Sequence, residues 1–424
     1  MNTIINIVMF FILIMSILWS IYLKFPQFRV FKEVRKFNKK YPKHDTYKTF
    51  LVSLATNLGT GNLVGVTTGI IIGGPGVIVW MWIFGFFSSV LSYIENIYAI
   101  KYQEKIDGEN RGGACYYILK GLNNPFLSII FAFFLLLTNT IFFPPIQINT
   151  IVKALIEILP FNKYIIGAFL VISIVLIVTK GTKKIIDITN RIVPIMTISF
   201  MMAILILLFI KIDVLWDSIK IIFYSAFNFK SIGIGILLNT ITVGIKRSLF
   251  SHEAGLGTMP SITGMSNAPT PNIQGFFGML GVYVDTLLMC TITGIVIVQL
   301  NIDFTQFEGA DLVIEVFKSN FGLFGSLLGS LFLFIFAFSS LLGQYYLGES
   351  NALLFTKFSR FNAKKIIFIY QMIFVIGLLM GIYFNMQIII GLVDIGLLLL
   401  GGTNMFVLFF LEKKDRIAKK VDLS

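Results

Sequence analysis

Two stretches of this chain carry residues that do not belong in a plain apolar helix. The first is L-A-T-N-L-G-T-G-N-L-V-G-V-T-T-G-I-I-I-G-G-P-G at 54–76, the second G-I-K-R-S-L-F-S-H-E-A-G-L-G at 244–257. Each glycine costs a helix about 1 kcal/mol relative to alanine, and Asn and Thr side chains compete for the helical hydrogen bonds. Irregular backbone at membrane depth is tolerated only where it is buried in protein or lines a polar cavity. A helix broken at 56–62 offers free N–H groups and a positive dipole end on one side, suited to a carboxylate. On the other side it offers free carbonyls, suited to a cation. Gly59, Thr60, Gly61 and Asn62 are the carboxylate candidates, with Thr56 at the edge of the same polar run; glycine lets a ligand approach the backbone. The alternative is that these small residues only let helices pack.

The second stretch adds charge. Glu253 and Asp285 are intramembrane carboxylates, which are paired or functional by default. Lys246 and Arg247 are close enough in sequence to pair with Glu253, so a structural ion pair and a ligand role stand side by side. Asp285 is expected to contact Thr286 or Thr291, and Asp394 a polar group on a neighbouring helix. His252 reads as a hydrogen-bonded packing residue before a proton-sensitive one; His44 carries no signal. No nucleophile–base pair, metal-ligand cluster or phosphate loop is visible, so neither an enzyme nor an organic cofactor is expected. Cys115 and Cys290 are too few for a disulfide framework.

These residues must be positioned by transmembrane helices. The 424 residues are 56% hydrophobic and only 13% charged, where a soluble protein has about 25% charged residues. The apolar runs are long and continuous, unlike the ~10-residue alternation of a membrane barrel. The expected fold class is an all-α polytopic membrane protein of about 11 transmembrane helices, a single membrane domain over 1–424. Residues 1–23 form an extra N-terminal span and 24–48 a basic cytoplasmic loop. A first repeat follows at 48–211, an extracellular amphipathic segment at 212–230, a second repeat at 231–411 and a cytoplasmic tail at 412–424. Basic loops are also expected at 101–120 and 180–191, the former with a short interfacial helix at 114–121. Placing the N-terminus outside puts 26 of the 34 Lys and Arg on the inner side, the asymmetry that orients membrane proteins. It also accounts for the net charge of +13 as attraction to anionic lipid rather than nucleic acid. The broken helices lie five spans apart and therefore cross in opposite directions, the layout of an inverted-repeat transporter with a midplane site.

The two stretches, lengthened to 53–82 and 244–258, resemble the alanine or glycine:cation symporter family. So do G-G-A-C-Y-Y-I-L-K-G-L (112–122), G-M-L-G-V-Y-V-D-T-L-L-M-C-T (278–291) and F-A-F-S-S-L-L-G-Q-Y-Y-L-G-E (336–349), in order along most of the chain. The resemblance implies a LeuT-type fold of five plus five inverted spans, here with one helix added at the N-terminus. It also implies a multi-pass protein of the cell membrane that moves a small amino acid with sodium, or in some members protons. By the same resemblance one sodium would use the carbonyls of Ala55 and Leu58 with the hydroxyls of Ser339 and Ser340. A second sodium would lie near Asn57 and Asn62. Phe250 and Ser251 match pocket-lining positions, and Gln147 is retained where it can hydrogen-bond a ligand.

The chain also departs from the family. Where the family reads G-I-G-N-M-V-Q-A-N, this chain has I-F-F-P-P-I-Q-I-N at 141–149, so Ile141 and Phe143 add bulk. The double proline should kink the helix and free carbonyls. The pocket tryptophan is replaced by Gln344. The expected substrate is a small amino acid, alanine- or glycine-like or, given these departures, small and polar. The other readings are a proton-coupled transporter and a non-transporting sensor of the same fold; oligomeric state is not legible.

Overall fold

The computed structural model describes residues 2–41, 45–106, 109–179, 182–227, 229–357 and 362–416. His44 and the tail beyond Arg416 lie outside them. Apart from one two-stranded antiparallel pair, Glu104–Ile106 against Glu109–Arg111, the regular structure of the described residues is helical.

Helix α1 (Asn2–Tyr22) is followed by the short α2 (Val30–Lys40). Next come α3 (Asp45–Asn57) and α4 (Gly61–Gly73), separated by the first break. Helices α5 (Val77–Lys101), α6 (Pro125–Ile156), α7 (Lys163–Val178) and α8 (Thr182–Ile210) follow. After α9 (Leu215–Phe227) and α10 (Phe229–His252) the chain leaves helix for the second break. It resumes with α11 (Pro271–Val298), α12 (Ala310–Ala352), α13 (Ala363–Tyr383) and α14 (Met386–Asp415).

Among the described residues seven helices are long and apolar enough to cross a membrane: α1, α5, α6, α11, α12, α13 and α14. An eighth results if Pro194–Ile210 and Ile212–Phe227, bent by 74° at their junction, form one span. Helices α4 and α7 are apolar but shorter. The outer surface is apolar, with Phe11, Phe126, Phe169, Leu323 and Phe368 exposed, while Glu95, Arg247 and Asp285 are buried. That distribution suits a protein solvated by lipid around a polar interior; this is a multi-pass membrane protein.

Three stretches read as basic loops contain regular structure. Residues 24–48 hold α2, whose Val30, Val34 and Phe37 are buried at i, i+4 and i+7 while Lys32, Arg35, Lys36 and Lys39 point away. Residues 180–191 are mostly the first turns of α8, and 101–120 contain the paired strands. In each case the charges lower the hydropathy without breaking the backbone pattern; in the two helical cases Lys and Arg are themselves good helix formers. The short helix expected at 114–121 is present as Ala114–Tyr116 running into a π-helical turn at Tyr117–Gly121.

The prolines of α6 act as their chemistry requires. Pro144 has no N–H to give the Thr140 carbonyl, and the preceding turn, Thr138–Phe142, widens to π geometry. Gly377 of α13 packs so tightly over Thr140 O that a Cβ there would collide with it. Helix α12 is kinked at Gly322, whose φ of 59° no ordinary residue adopts cheaply.

Candidate functional site

The two breaks meet. A Cβ on Gly61 would lie 2.7 Å from the Ser251 Cα, so glycine is what allows α4 to start against the end of α10. Asn57, the last residue of α3, donates from Nδ2 to the His252 carbonyl at 3.3 Å. α4 opens with a π-helical turn, Gly61–Gly65, a feature frequent at functional sites.

Asn62 organises this junction. Its Oδ1 accepts from the Gly59 N–H at 3.0 Å, closing the break on itself. Its Nδ2 lies 2.7 Å from Asp285 Oδ1 and 3.1 Å from Ser251 Oγ. Ser251 and Thr286 donate to Asp285 Oδ2 at 2.7 and 2.9 Å. Asp285 sits in a π-helical stretch of α11, Tyr283–Cys290, and is fully buried. These donors to the carboxylate are all neutral.

Thr60 donates to Gln147 Oε1 at 2.6 Å, joining α4 to α6. Phe143, just before the double proline, meets Phe250 edge-on, with ring centroids 5.4 Å apart and planes at 83°. Gly65 lies under the Phe250 ring, 3.4 Å from a Cβ to Cδ1. Across the break, Ser340 of α12 packs directly on Gly59. Ser339 donates back to its own helix at Phe336 O, 3.0 Å away. Gln344, one helical turn on, is buried with its Oε1 unpartnered.

Most of the candidate residues therefore converge, and a few do not. Thr56 donates to Val52 O at 3.0 Å, and its methyl group packs where a Cβ on Gly343 would be; its hydroxyl serves its own helix. Asn57 and Asn62 share no partner, since one amide reaches His252 and the other Asp285. Lys246 and Arg247 do not pair with Glu253. Both bind Asp394 of α14, Lys246 at 3.0 Å and Arg247 through Nη2. They occupy the turn of α10 before Phe250, whereas Glu253 lies past the end of the helix with a φ of 53°. His252 accepts from Ala254 N at Nδ1 (2.9 Å), so Nε2 carries the proton and faces Ser88 Oγ at 3.0 Å. With Phe84 stacked on its ring, it is the packing residue expected. Asp285 does contact Thr286, while Thr291 bonds Trp82 Nε1 and its own helix.

Glu95 is the residue that sequence reasoning passed over. Buried in α5, it accepts from the N–H groups of Gly255 (2.9 Å) and Gly257 (2.7 Å) and from Asn404 of α14. Asn404 in turn donates to Gly255 O at 3.0 Å and accepts from the Tyr117 hydroxyl at 2.6 Å. Gly255 and Gly257 have φ of 91° and 74°, which aim their N–H groups at the carboxylate. A lone intramembrane Glu with a G-x-G segment elsewhere was the available signal.

The sodium:alanine symporter family matches residues 1–421. The amino-acid carrier protein AlsT of Bacillus subtilis is 30% identical over 95% of this chain and 87% of its own length. The sodium/alanine symporter AgcS of Methanococcus maripaludis is 33% identical, over 84% of this chain and 82% of its own. A probable sodium/glutamine symporter of B. subtilis, GlnT, is 29% identical over 94% of this chain and 84% of its own.

Proposed function

Since this chain belongs to the sodium:alanine symporter family, whose members are transporters and not enzymes, we propose that it couples sodium entry to the uptake of a small amino acid. It does so by alternating access around a site at the two breaks. The observation that carries this reading is the Asn62–Asp285–Ser251 cluster. A buried carboxylate held only by neutral donors is an uncompensated charge, and a cation entering beside it supplies the missing partner. Such an ion and an amino acid at the adjacent break stabilise the same closed junction, which couples their binding.

In this reading the substrate carboxylate lies at the start of α4, against Gly59, Thr60, Gly61 and Asn62. Gln147 and Gln344 line its other side, and the crossed rings of Phe143 and Phe250 form the roof. A sodium ion takes the Ala55 and Leu58 carbonyls with the Ser339 and Ser340 hydroxyls; Ser340 packing on Gly59 supports that set. The second ion belongs beside Asp285 and Asn62 rather than between Asn57 and Asn62. Lys246 and Arg247 on Asp394 tie α10 to α14 and act as a latch. Counting α3 with α4 as one span, and α7, α8 and α10 as spans, gives the eleven of a five-plus-five inverted repeat with α1 added. The positive charges orient it with the N-terminus outside and the C-terminus in the cytoplasm.

The unpartnered Gln344 Oε1, where the family has tryptophan, favours a substrate with a further hydrogen-bond donor. A small polar amino acid or glutamine fits that chemistry. Uptake of radiolabelled amino acids into proteoliposomes tests the reading, with sodium replaced by choline. Uptake that needs sodium is the expected result. Uptake in choline driven by a pH gradient makes the coupling ion a proton, and binding without flux makes the protein a sensor. Alanine transport at full rate with no competition from polar amino acids overturns the substrate assignment.

A further inference from the structure

A narrow cleft lies beside the breaks, between α3, α5, the start of α11 and the end of α10. Three amides line it: Asn57, Asn96 and Gln274. The Asn57 Nδ2 bonds the His252 carbonyl at 3.3 Å, and the Asn96 Nδ2 bonds the Ser92 carbonyl at 2.7 Å. Backbone carbonyls accept and cannot donate, so these contacts fix which end of each amide is which. Both Oδ1 atoms are buried without a partner, and Gln274 has neither Oε1 nor Nε2 satisfied. Gln274 and Asn96 are 0% and 1% exposed.

Leaving a buried polar atom unpaired costs about 1–3 kcal/mol, so this concentration of unpaired atoms calls for an occupant. The two fixed oxygens accept no hydrogen bond from the described lining, whose Gln274 Nε2 is likewise unpartnered. The His252 ring is committed to Ala254 N and Ser88, and among the described residues no carboxylate or cationic side chain lines the cleft. Its free interior of about 10 Å³ has room for one water-sized occupant. An oxygen-rich, neutral chamber of that size suits a small dehydrated cation. We propose that Asn57, Asn96 and Gln274 form a monovalent-cation site, with their amide oxygens as ligands and the Ser92 hydroxyl beside them.

The place in the fold gives the site its use. Asn57 is joined to the second break through His252 and precedes Leu58, so the cleft begins where the coupling ion is proposed to sit. This inference rests on that reading of sodium symport. An ion leaving the breaks on the side from which α3 arrives meets these amides first. Neutral ligands hold it loosely enough to pass on, as sequential sites in a conduction path must.

Sodium-22 binding to the full-length protein in lipid nanodiscs, with no amino acid present, tests the site. The wild type is expected to bind sodium in two classes, the weaker belonging to the cleft. Gln274→Leu and Asn96→Leu should each remove the weaker class. Both should slow net uptake several-fold while leaving amino-acid exchange at equal sodium on both sides within about twofold. Gln274→Glu, which adds a carboxylate of the same length, should tighten the weaker class at least tenfold. Its result stands even if the Leu variants fail to fold. Unchanged sodium binding in folded Gln274→Leu and Gln274→Glu, alongside sodium-dependent uptake by the wild type, overturns the cation site alone and leaves the cleft a single water. A wild type that neither binds sodium nor needs it for uptake overturns both this proposal and the symport reading.

Discussion

The two breaks solve the same problem with different chemistry. At the second, Glu95 accepts from Gly255 N and Gly257 N, and Asn404 and Tyr117 brace it. Hydrogen bonds to a charged acceptor are roughly twice as strong as neutral ones. Glu95 takes three of these bonds, from the 255–257 segment and from α14, while Tyr117 reaches it through Asn404. At the first break the ties are a Gly59–Asn62 capping bond, a Thr60–Gln147 bond and the reach of Asn62 to Asp285 and Ser251. Two of the three are neutral, and in the proposed site all use atoms that a ligand would compete for. In the proposed transport cycle the second break serves as a fixed jaw, and the first as the one that yields when ligand arrives or leaves. That asymmetry can be broken from either side.

The largest effect is expected at the fixed jaw. Glu95→Ala strands two buried N–H groups, about 1–3 kcal/mol each before any lost packing. The variant should lose folded protein outright, read as collapse of the monodisperse peak on size exclusion in detergent. Glu95→Gln keeps one acceptor oxygen and should recover part of it. If Glu95→Ala melts within a few degrees of the wild type, the second break is not held as described.

Next comes the yielding jaw. Asn62→Ala removes the link between break, Ser251 and Asp285 without leaving a charged group newly unpaired by a cation. Uptake should fall about 100-fold, equivalent to roughly 2.7 kcal/mol, while the melting temperature moves only a few degrees. Thr60→Ala should also stop uptake while leaving expression intact. A folded Asn62→Ala protein with normal sodium-dependent uptake removes the cluster from the mechanism.

The difference between the jaws also explains what was legible in the sequence. Both breaks were visible because glycines among polar or charged residues are conspicuous in an apolar span, and the polar residues of the first break carry its ties themselves. The braces of the second were not visible. Glu95, Tyr117 and Asn404 are scattered over some 300 positions, and only folding brings them to Gly255 and Gly257. Asp394 was hidden in the same way, 147 residues from the Arg247 it binds. Proximity in sequence instead pointed Lys246 and Arg247 at Glu253. On a helix that ends at His252, Glu253 leaves with φ 53° and no longer shares their face. The helical start of α8 and the paired strands at 104–106 and 109–111 were concealed by charge, which hydropathy reads as loop.

A smaller effect is expected where the jaws touch. A methyl group at Gly61 would have to fit 2.7 Å from the Ser251 Cα. Overpacking of that kind costs about 1–3 kcal/mol, and the first break should absorb most of it by shifting away from the fixed second. Gly61→Ala is therefore expected to raise the KM for amino acid about tenfold, with a smaller drop in melting temperature than in Glu95→Ala. If the melting temperature falls as far as in Glu95→Ala, both breaks are equally rigid and the asymmetry is lost.

The smallest effect is expected at Thr56, which lies in the polar run of the yielding jaw but outside its bonding. Its hydroxyl donates to Val52 O within α3, and its methyl group packs on Gly343. Valine keeps the packing and drops a back-bond that contributes little to helix stability. Thr56→Val should transport within about twofold of the wild type at saturating and at limiting substrate. Thr60, four residues further on, makes its bond across to α6 and has no such freedom. Equal losses in Thr56→Val and Thr60→Ala would mean that the ligand reads the whole polar run. The moving jaw would then extend a full turn back into α3 rather than begin at Leu58.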